Sequence, residues 1–221
     1  MKGREEDTPL LVLVGMGREA RIVGGAATMI VGAAGLAAAL ARRRPAGIVS
    51  FGLAGGLDPS LKAGDLVVGS AVNGIAADGA WAARLMAALP GARLGAFASG
   101  EAMVATPEAK AALFGRIGAV AADMESYLIA RSGIPFAILR AVSDPASRAL
   151  PRAAQAGFQV DGEVDIGAVL KALIADPRQL PALLRTAREA GAAFRSLRDA
   201  RRLLGPGLGC PYVGEHPIDM A

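Results

Sequence analysis

Short apolar runs, each stopped by glycine, alternate along the chain with alanine-rich stretches of helical spacing. Leu10–Val14 is unbroken apolar and halts at Gly15-Met16-Gly17, the pattern of a strand covered on both faces. Gly47–Phe51 predicts a second strand running into the loop Gly52-Leu-Ala-Gly-Gly56, and Asp65–Gly69 predicts a third. Leu94–Ser99 is a weaker strand, and Ala119–Ala122 is short and apolar. Pro135–Val142, followed by Ser143-Asp144, is the clearest strand of all. Helices are predicted over 32–44, stopped by Pro45, and over 80–89, stopped by Pro90-Gly91. Further helices are predicted over 107–114, 123–131, 165–174 and 179–204. Strands alternating with helices through short glycine-bearing loops predict a three-layer α/β domain. Such domains bind ligands beyond the carboxyl ends of their strands. The polar residues there are Gly15–Glu19, Gly52–Gly56, Gly100-Glu101, Asp123–Glu125 and Ser143-Asp144.

Composition narrows the chemistry. With 53% hydrophobic residues in 221, the chain has enough apolar surface for a core and is not a disordered polypeptide. Cys210 is the sole cysteine and His216 the sole histidine, which excludes an internal disulfide, a cysteine zinc site and a multi-histidine metal centre, and argues against a Ser-His-Asp triad. Acid–base work therefore falls to carboxylates. The net charge of +4 is concentrated between 178 and 204, where seven arginines face two acids. At 4% aromatic content there is little to stack on bases, so a nucleic-acid partner is not expected. Met1–Thr8 is charged and lacks a secretory pattern, which predicts a cytoplasmic protein. Ile22–Ala41 has twenty residues without a charge, but they are mostly Ala and Gly and include Gly24-Gly25. A short strand, a loop and a buried helix fit that stretch better than a membrane span.

Gly15-Met-Gly17-Arg-Glu-Ala20 has the form G-x-G-x-x-A of a dinucleotide fingerprint. The acid expected about 20 residues onward is missing, since no Asp or Glu lies between Glu19 and Asp58. Arg42–Arg44 leave an NADP site as the alternative; a tight glycine turn after the first strand is the preferred reading.

Three fragments, Ser50–Val68, Ala122-Asp-Met-Glu-Ser126 and Ile138-Leu-Arg-Ala-Val-Ser-Asp144, in this order and spacing, resemble the nucleoside phosphorylase and nucleosidase superfamily. The likeness spans about Leu10–Leu173 and falls in the branch with the methylthioadenosine/S-adenosylhomocysteine nucleosidases. Within the superfamily, Glu19-Ala-Arg-Ile22 and the arginine-rich C-terminal segment ending Leu-Gly-Pro-Gly are most similar to the hopanoid-associated phosphorylase group, which acts on adenosylhopane. The resemblance implies an α/β three-layer sandwich with a mixed central sheet over 1–175, followed by a basic amphipathic helix and tail over 176–221. It implies cleavage of the N-glycosidic bond of a 5′-substituted adenosine with release of adenine, and a homodimer. No metal or redox cofactor is required; phosphate is the one co-substrate left open.

In the resembled family the aspartate at the position of Asp144 protonates the departing base, and the residue at Ser143 helps hold it. A carboxyl behind a buried strand is suited to that, because desolvation raises its pKa; a cap on the next segment is the plainer alternative. Glu125 corresponds to the acid that grips the ribose 2′ and 3′ hydroxyls, with Met124 packed on the sugar. The plainer role of Glu125 is an acid at a helix N-terminus, the role left to Asp123. Gly55 lies in the loop that approaches the ribose. Met103 and Val104 correspond to the adenine pocket wall, or else to core packing. Nucleosidases activate water with a glutamate just after the first strand; a gap-free alignment places it on Ala20, and a one-residue shift brings in Glu19, otherwise a solvated loop acid. Phosphorylases tend to carry arginine where this chain has Ser50 and Ser or Thr where it has Leu53, so two phosphate ligands are missing and hydrolysis gains. Arg18 or Arg21 are the remaining candidates for an anion contact.

In the C-terminal segment, Leu180, Leu183, Leu184, Ala187, Gly191, Phe194, Leu197 and Leu204 recur at helical spacing among arginines. The plain expectation is a helix packed on the domain with its arginines in solvent. The sharper one is a basic amphipathic helix making peripheral contact with an anionic membrane through 178–204, where a lipid-linked nucleoside would reside.

Overall fold

The computed structural model describes residues 10–24, 28–42, 44–157 and 165–212; His216 lies outside them. The elements run β1 (Leu10–Val14), α1 (Gly17–Val23), β2 (Thr28–Val31), α2 (Gly32–Arg42), β3 (Gly47–Gly56), β4 (Leu66–Val72), β5 (Ile75–Ala76), α3 (Gly79–Ala88), β6 (Arg93–Ser99), α4 (Pro107–Ile117), β7 (Ala121–Asp123), α5 (Ser126–Ala130), β8 (Phe136–Asp144), α6 (Arg152–Ala156), α7 (Ile166–Ala175), a 3₁₀ turn (Pro177–Gln179) and α8 (Leu180–Leu204).

The sheet is mixed. β2, β1, β3 and β8 run parallel, β8 meets β4 antiparallel, and β4, β6 and β7 are parallel again. β7 then pairs antiparallel with the last residues of β3, so that β3, β8, β4, β6 and β7 close on themselves, with β1 and β2 extending from β3. Both faces are covered, which is why β1 and β8 read as continuous apolar runs. On one face Val12, Val14, Phe51 and Leu139 meet Trp81 and Leu85 of α3 and Phe194 and Leu197 of α8. On the other, Leu11, Leu13, Ile48, Ile138 and Val142 meet Leu36 of α2 and Ile129 of α5. Helices on both faces of a mixed sheet are the α/β layering that the alternating pattern predicts.

Several local expectations change. The glycine loop 52–56 is the end of a ten-residue strand, because β8 and β7 hold its backbone on either side. Asp123 closes β7 rather than opening a helix; its side chain accepts from the Ser126 amide and hydroxyl, so α5 begins only after that turn. The glycine turn after β1 carries a seven-residue helix, α1, ended at Gly24 with φ of 61°. Residues 22–41 divide among α1, β2 and α2, and Ala37 and Ala38 of α2 are exposed, so the expected buried helix is half in solvent. Among the described residues no helix is long and apolar enough to cross a membrane. The second half of α8 packs into the core through Ala193, Phe194, Leu197 and Ala200, while its first half and α7 leave Ile166, Leu170, Ile174, Leu180 and Leu184 exposed.

Candidate active site

Three carboxylates gather at the carboxyl ends of β1, β3 and β8, each against a glycine. A Cβ on Gly15, just beyond β1, would lie 2.7 Å from Glu125 Oε1. One on Gly52 would collide with the Glu19 carboxylate and stand 2.7 Å from Arg140 Nη1, and one on Gly55 would come within 3.2 Å of Asp144 Oδ2. Glycine leaves room for these side chains against bare backbone, most tightly at Gly52. Gly55 ties the two halves together: it pairs with Ala122 of β7, which leads to Glu125, and with Asp144 of β8.

Glu19 is buried, which removes the solvated-loop alternative. Its Oε2 accepts from the amides of Gly15 (2.8 Å) and Met16 (3.0 Å), and its Oε1 from that of Leu53 (2.8 Å). The Gly15 and Met16 contacts cap α1, and the Leu53 contact carries the side chain across to β3. Ala20, where the gap-free alignment places the catalytic acid, packs instead against the apolar core. Burial raises the Glu19 pKa to about 7, against the opposing pull of Arg140 and the backbone amides; Glu125 adds to the rise.

Arg140, in mid-β8, organises the other acids. Its Nη2 donates to Glu125 Oε2 at 2.9 Å and to Ser50 Oγ at 2.5 Å, and Nη1 donates to the Leu53 carbonyl at 3.3 Å. Nε lies 3.0 Å from Asp123 Oδ2, an ion pair without hydrogen-bond alignment. Burial works against this buried cation, but Asp123, Glu125 and Glu19 outweigh it and hold its proton more tightly than usual. Asp123 also accepts from Ser99 Oγ at 2.5 Å and from the Ser126 hydroxyl, whose oxygen lies 2.9 Å from Ser50 Oγ. Asp123 is thus a buried ion-pair partner of Arg140, not a free acid serving the helix dipole. Glu125 is half-buried at the N-terminus of α5, with one oxygen on Arg140. Met124 beside it is exposed.

Asp144 ends β8 and is buried. Ser143 Oγ donates to its Oδ1 at 2.7 Å and lies 3.3 Å from the Ala54 carbonyl. Lys110, fully buried on α4, donates to Oδ2 at 2.6 Å. Burial raises the Asp144 pKa, while Lys110 and Ser143 pull it down. Met103 is half-buried, and Val104 packs against the cluster of Leu57, Ala98 and Ala119.

Of the anion contacts considered in sequence, Arg18 is engaged elsewhere. The Arg18 guanidinium lies over the Phe194 ring at 4.1 Å, and Arg21 is exposed. Ser50 is bonded to Arg140 and Ser126, and the Leu53 amide to Glu19. Among the described residues no cluster of three or more His, Cys, Asp or Glu is arranged to hold a metal. Sequence reasoning assigned no role to Arg140 or Lys110. Arg140 stands inside the recognised Ile138–Asp144 fragment as a charge in the middle of a buried strand. Lys110 shares a helical face with Leu113 and Phe114. A charge on an apolar face is the signal in both cases.

Comparison with known proteins places this geometry in a family. The phosphorylase superfamily profile matches residues 6–175, and the chain belongs to that superfamily. No curated protein matches the sequence. Among solved structures, the 5′-methylthioadenosine/S-adenosylhomocysteine nucleosidase of Helicobacter pylori aligns over 77% of this chain and 99% of its own, at 20% identity and a TM-score of 0.54. Futalosine hydrolase from the same organism aligns over 77% and 98%, at 19% and 0.54. The S-adenosylhomocysteine nucleosidase of Streptococcus pyogenes aligns over 89% and 99%, at 17% and 0.57. At these identities the likeness is one of fold.

Proposed function

We propose that this protein is a nucleosidase that cleaves the N-glycosidic bond of a 5′-substituted adenosine with water, releasing adenine. The observation that carries the reading is the meeting of a buried acid, Asp144, with the Glu19–Arg140–Glu125 group around the glycines of β3. As the bond stretches, negative charge builds on the purine and positive charge on the sugar. Asp144, protonated, delivers its proton to N7 of the leaving base, a contribution of about 10²–10⁴-fold. Glu125, anchored through Oε2 by Arg140, accepts from the ribose diol with its other oxygen. Glu19, ionised above about pH 7, takes a proton from the attacking water. Activity then requires Glu19 ionised and Asp144 protonated, and burial raises the pKa of both.

Water is favoured over phosphate on electrostatic grounds. Three carboxylates, those of Glu19, Asp123 and Glu125, surround one guanidinium, and the Ser50 hydroxyl and Leu53 amide are already bonded within the protein. An incoming anion meets repulsion there.

For the 5′ substituent we favour a hydrocarbon of the adenosylhopane kind over methylthio or homocysteinyl groups. Two features support this: the sequence resemblance to the hopanoid-associated group, and the exposed aliphatic stripe of α7 and α8 bordered by Lys171, Arg178, Arg185 and Arg188, suited to an anionic lipid surface. The resemblance likewise supports a homodimer. A non-catalytic nucleoside-binding module is the reading from a different class. The test is incubation with methylthioadenosine, S-adenosylhomocysteine and a lipid-linked adenosine, each with and without phosphate. Adenine release that Asp144→Asn lowers by about 10²-fold or more while ligand binding persists supports the assignment. Binding without release supports the module, and unchanged turnover in the variant removes Asp144 as the acid.

A further inference from the structure

Lys110 is the one buried residue of α4, and it holds four oxygens. Besides Asp144 Oδ2, its Nζ donates to the carbonyls of Asp144 and Pro145, both at 3.1 Å, and of Arg148 at 3.2 Å. An ammonium has three protons, so its hydrogen-bonding capacity is fully used inside the protein. Carbonyls alone would give it a structural task, pinning the segment that follows β8. The short contact to the Asp144 side chain adds a second task, because it sets a fixed positive charge against the carboxyl that must give up a proton.

We propose that Lys110 is a positioning residue for general-acid catalysis, fixing the Asp144 carboxyl and stabilising the carboxylate that remains once its proton has passed to the purine. The inference rests on the nucleosidase reading above. The step balances. The Asp144 O–H bond breaks and an N7–H bond forms, the electron pair of the glycosidic bond passes to the purine, and Asp144 is left as a carboxylate paired with Lys110. Lys110 keeps its own proton throughout, and Asp144 is reprotonated from solvent after the products leave. A counter-ion that meets the charge only after transfer stabilises the later state and so strengthens the acid. Burial alone would make Asp144 a reluctant donor; the ammonium opposes this.

Other charged groups near Asp144 are engaged. Arg148, in the segment after β8, reaches Glu189 of α8 at 3.4 Å, and Arg140, earlier on β8, is committed to Asp123 and Glu125. β3 presents Gly55 to Asp144 and so adds no charge.

The test is the pH profile of adenine release by wild type, Lys110→Gln and Lys110→Arg. In Lys110→Gln the alkaline limb, which reports protonated Asp144, moves up by roughly one pH unit or more, and the plateau rate falls about tenfold. Lys110→Arg keeps the limb near its wild-type position. A folded Lys110→Gln with an unmoved limb overturns the inference and leaves Lys110 a structural tie. The wild-type enzyme supplies a readout independent of the folding of any variant. The ¹⁵N resonance of the Lys110 ammonium, followed with pH, shows a step at the midpoint of the alkaline limb as Asp144 ionises. A resonance without that step also overturns the inference. Wild type that releases no adenine from any of the three substrates overturns the nucleosidase reading itself; an active wild type that Asp144→Asn silences, with the Lys110→Gln limb unmoved, overturns this inference alone.

Discussion

Glu19 keeps its carboxyl buried, and that placement opposes folding at a pH where the group is ionised. In the unfolded chain it titrates near 4.5, in the fold near 7. The native state therefore binds the Glu19 proton more tightly. Its stability is full below pH 4.5, declines as pH rises from there to about 7, and stays lower above. The difference amounts to roughly 3 kcal/mol. Glu19→Gln, neutral at every pH, should flatten this part of the curve: the variant gains on the wild type between pH 5 and pH 8 while losing adenine release. Denaturation melts at the two pH values check it, and identical pH dependence in both proteins contradicts it. Asp144 and Glu125 were legible in the sequence because each stands in a short local motif, after a buried strand or before a helix. Glu19 was less so, because a one-residue offset in a glycine turn decides which side chain faces inward, and only the Leu53 amide across the sheet settles that. Lys110 and Arg140 drew no role because their partners are set by tertiary packing: Asp144 is 34 residues from Lys110, and Ser50 is 90 residues from Arg140.

Among the elements, the strands and longer helices followed from apolar periodicity, whereas the closing of the sheet did not. Three residues of β7 join β6 to the end of β3, and nothing in Ala121–Asp123 announces two partners. The C-terminal helices divide the labour that their mixed leucine and arginine pattern suggested. α8 is pinned to the core by Phe194 and Leu197, yet α7 has no buried residue, and its Ile174 is 82% exposed. Inserting such aliphatics into a bilayer interface yields about 1.5–3 kcal/mol each when fully buried, and each nearby Lys or Arg adds about 1 kcal/mol on anionic lipid. The protein should therefore float with vesicles containing phosphatidylserine and lose that association in Ile174→Glu/Leu184→Glu, with turnover of soluble methylthioadenosine unchanged. Equal flotation of variant and wild type, or none by either at low salt, removes the membrane contact.

At the scale of the whole molecule, the superfamily fold brings the ends of β1, β3 and β8 together, and the glycines there let the carboxylates of Glu125, Glu19 and Asp144 approach bare backbone. In the reaction proposed, this arrangement uses water to release a purine protonated by Asp144. The most direct measurement is turnover of the three 5′-substituted adenosines in H₂¹⁸O without phosphate, with adenine and the sugar product analysed by mass spectrometry. Free adenine and ¹⁸O on the ribose anomeric carbon are expected, with Asp144→Asn silent. Absence of adenine from every substrate, or release that requires phosphate and leaves the sugar without ¹⁸O, would contradict the proposed reaction.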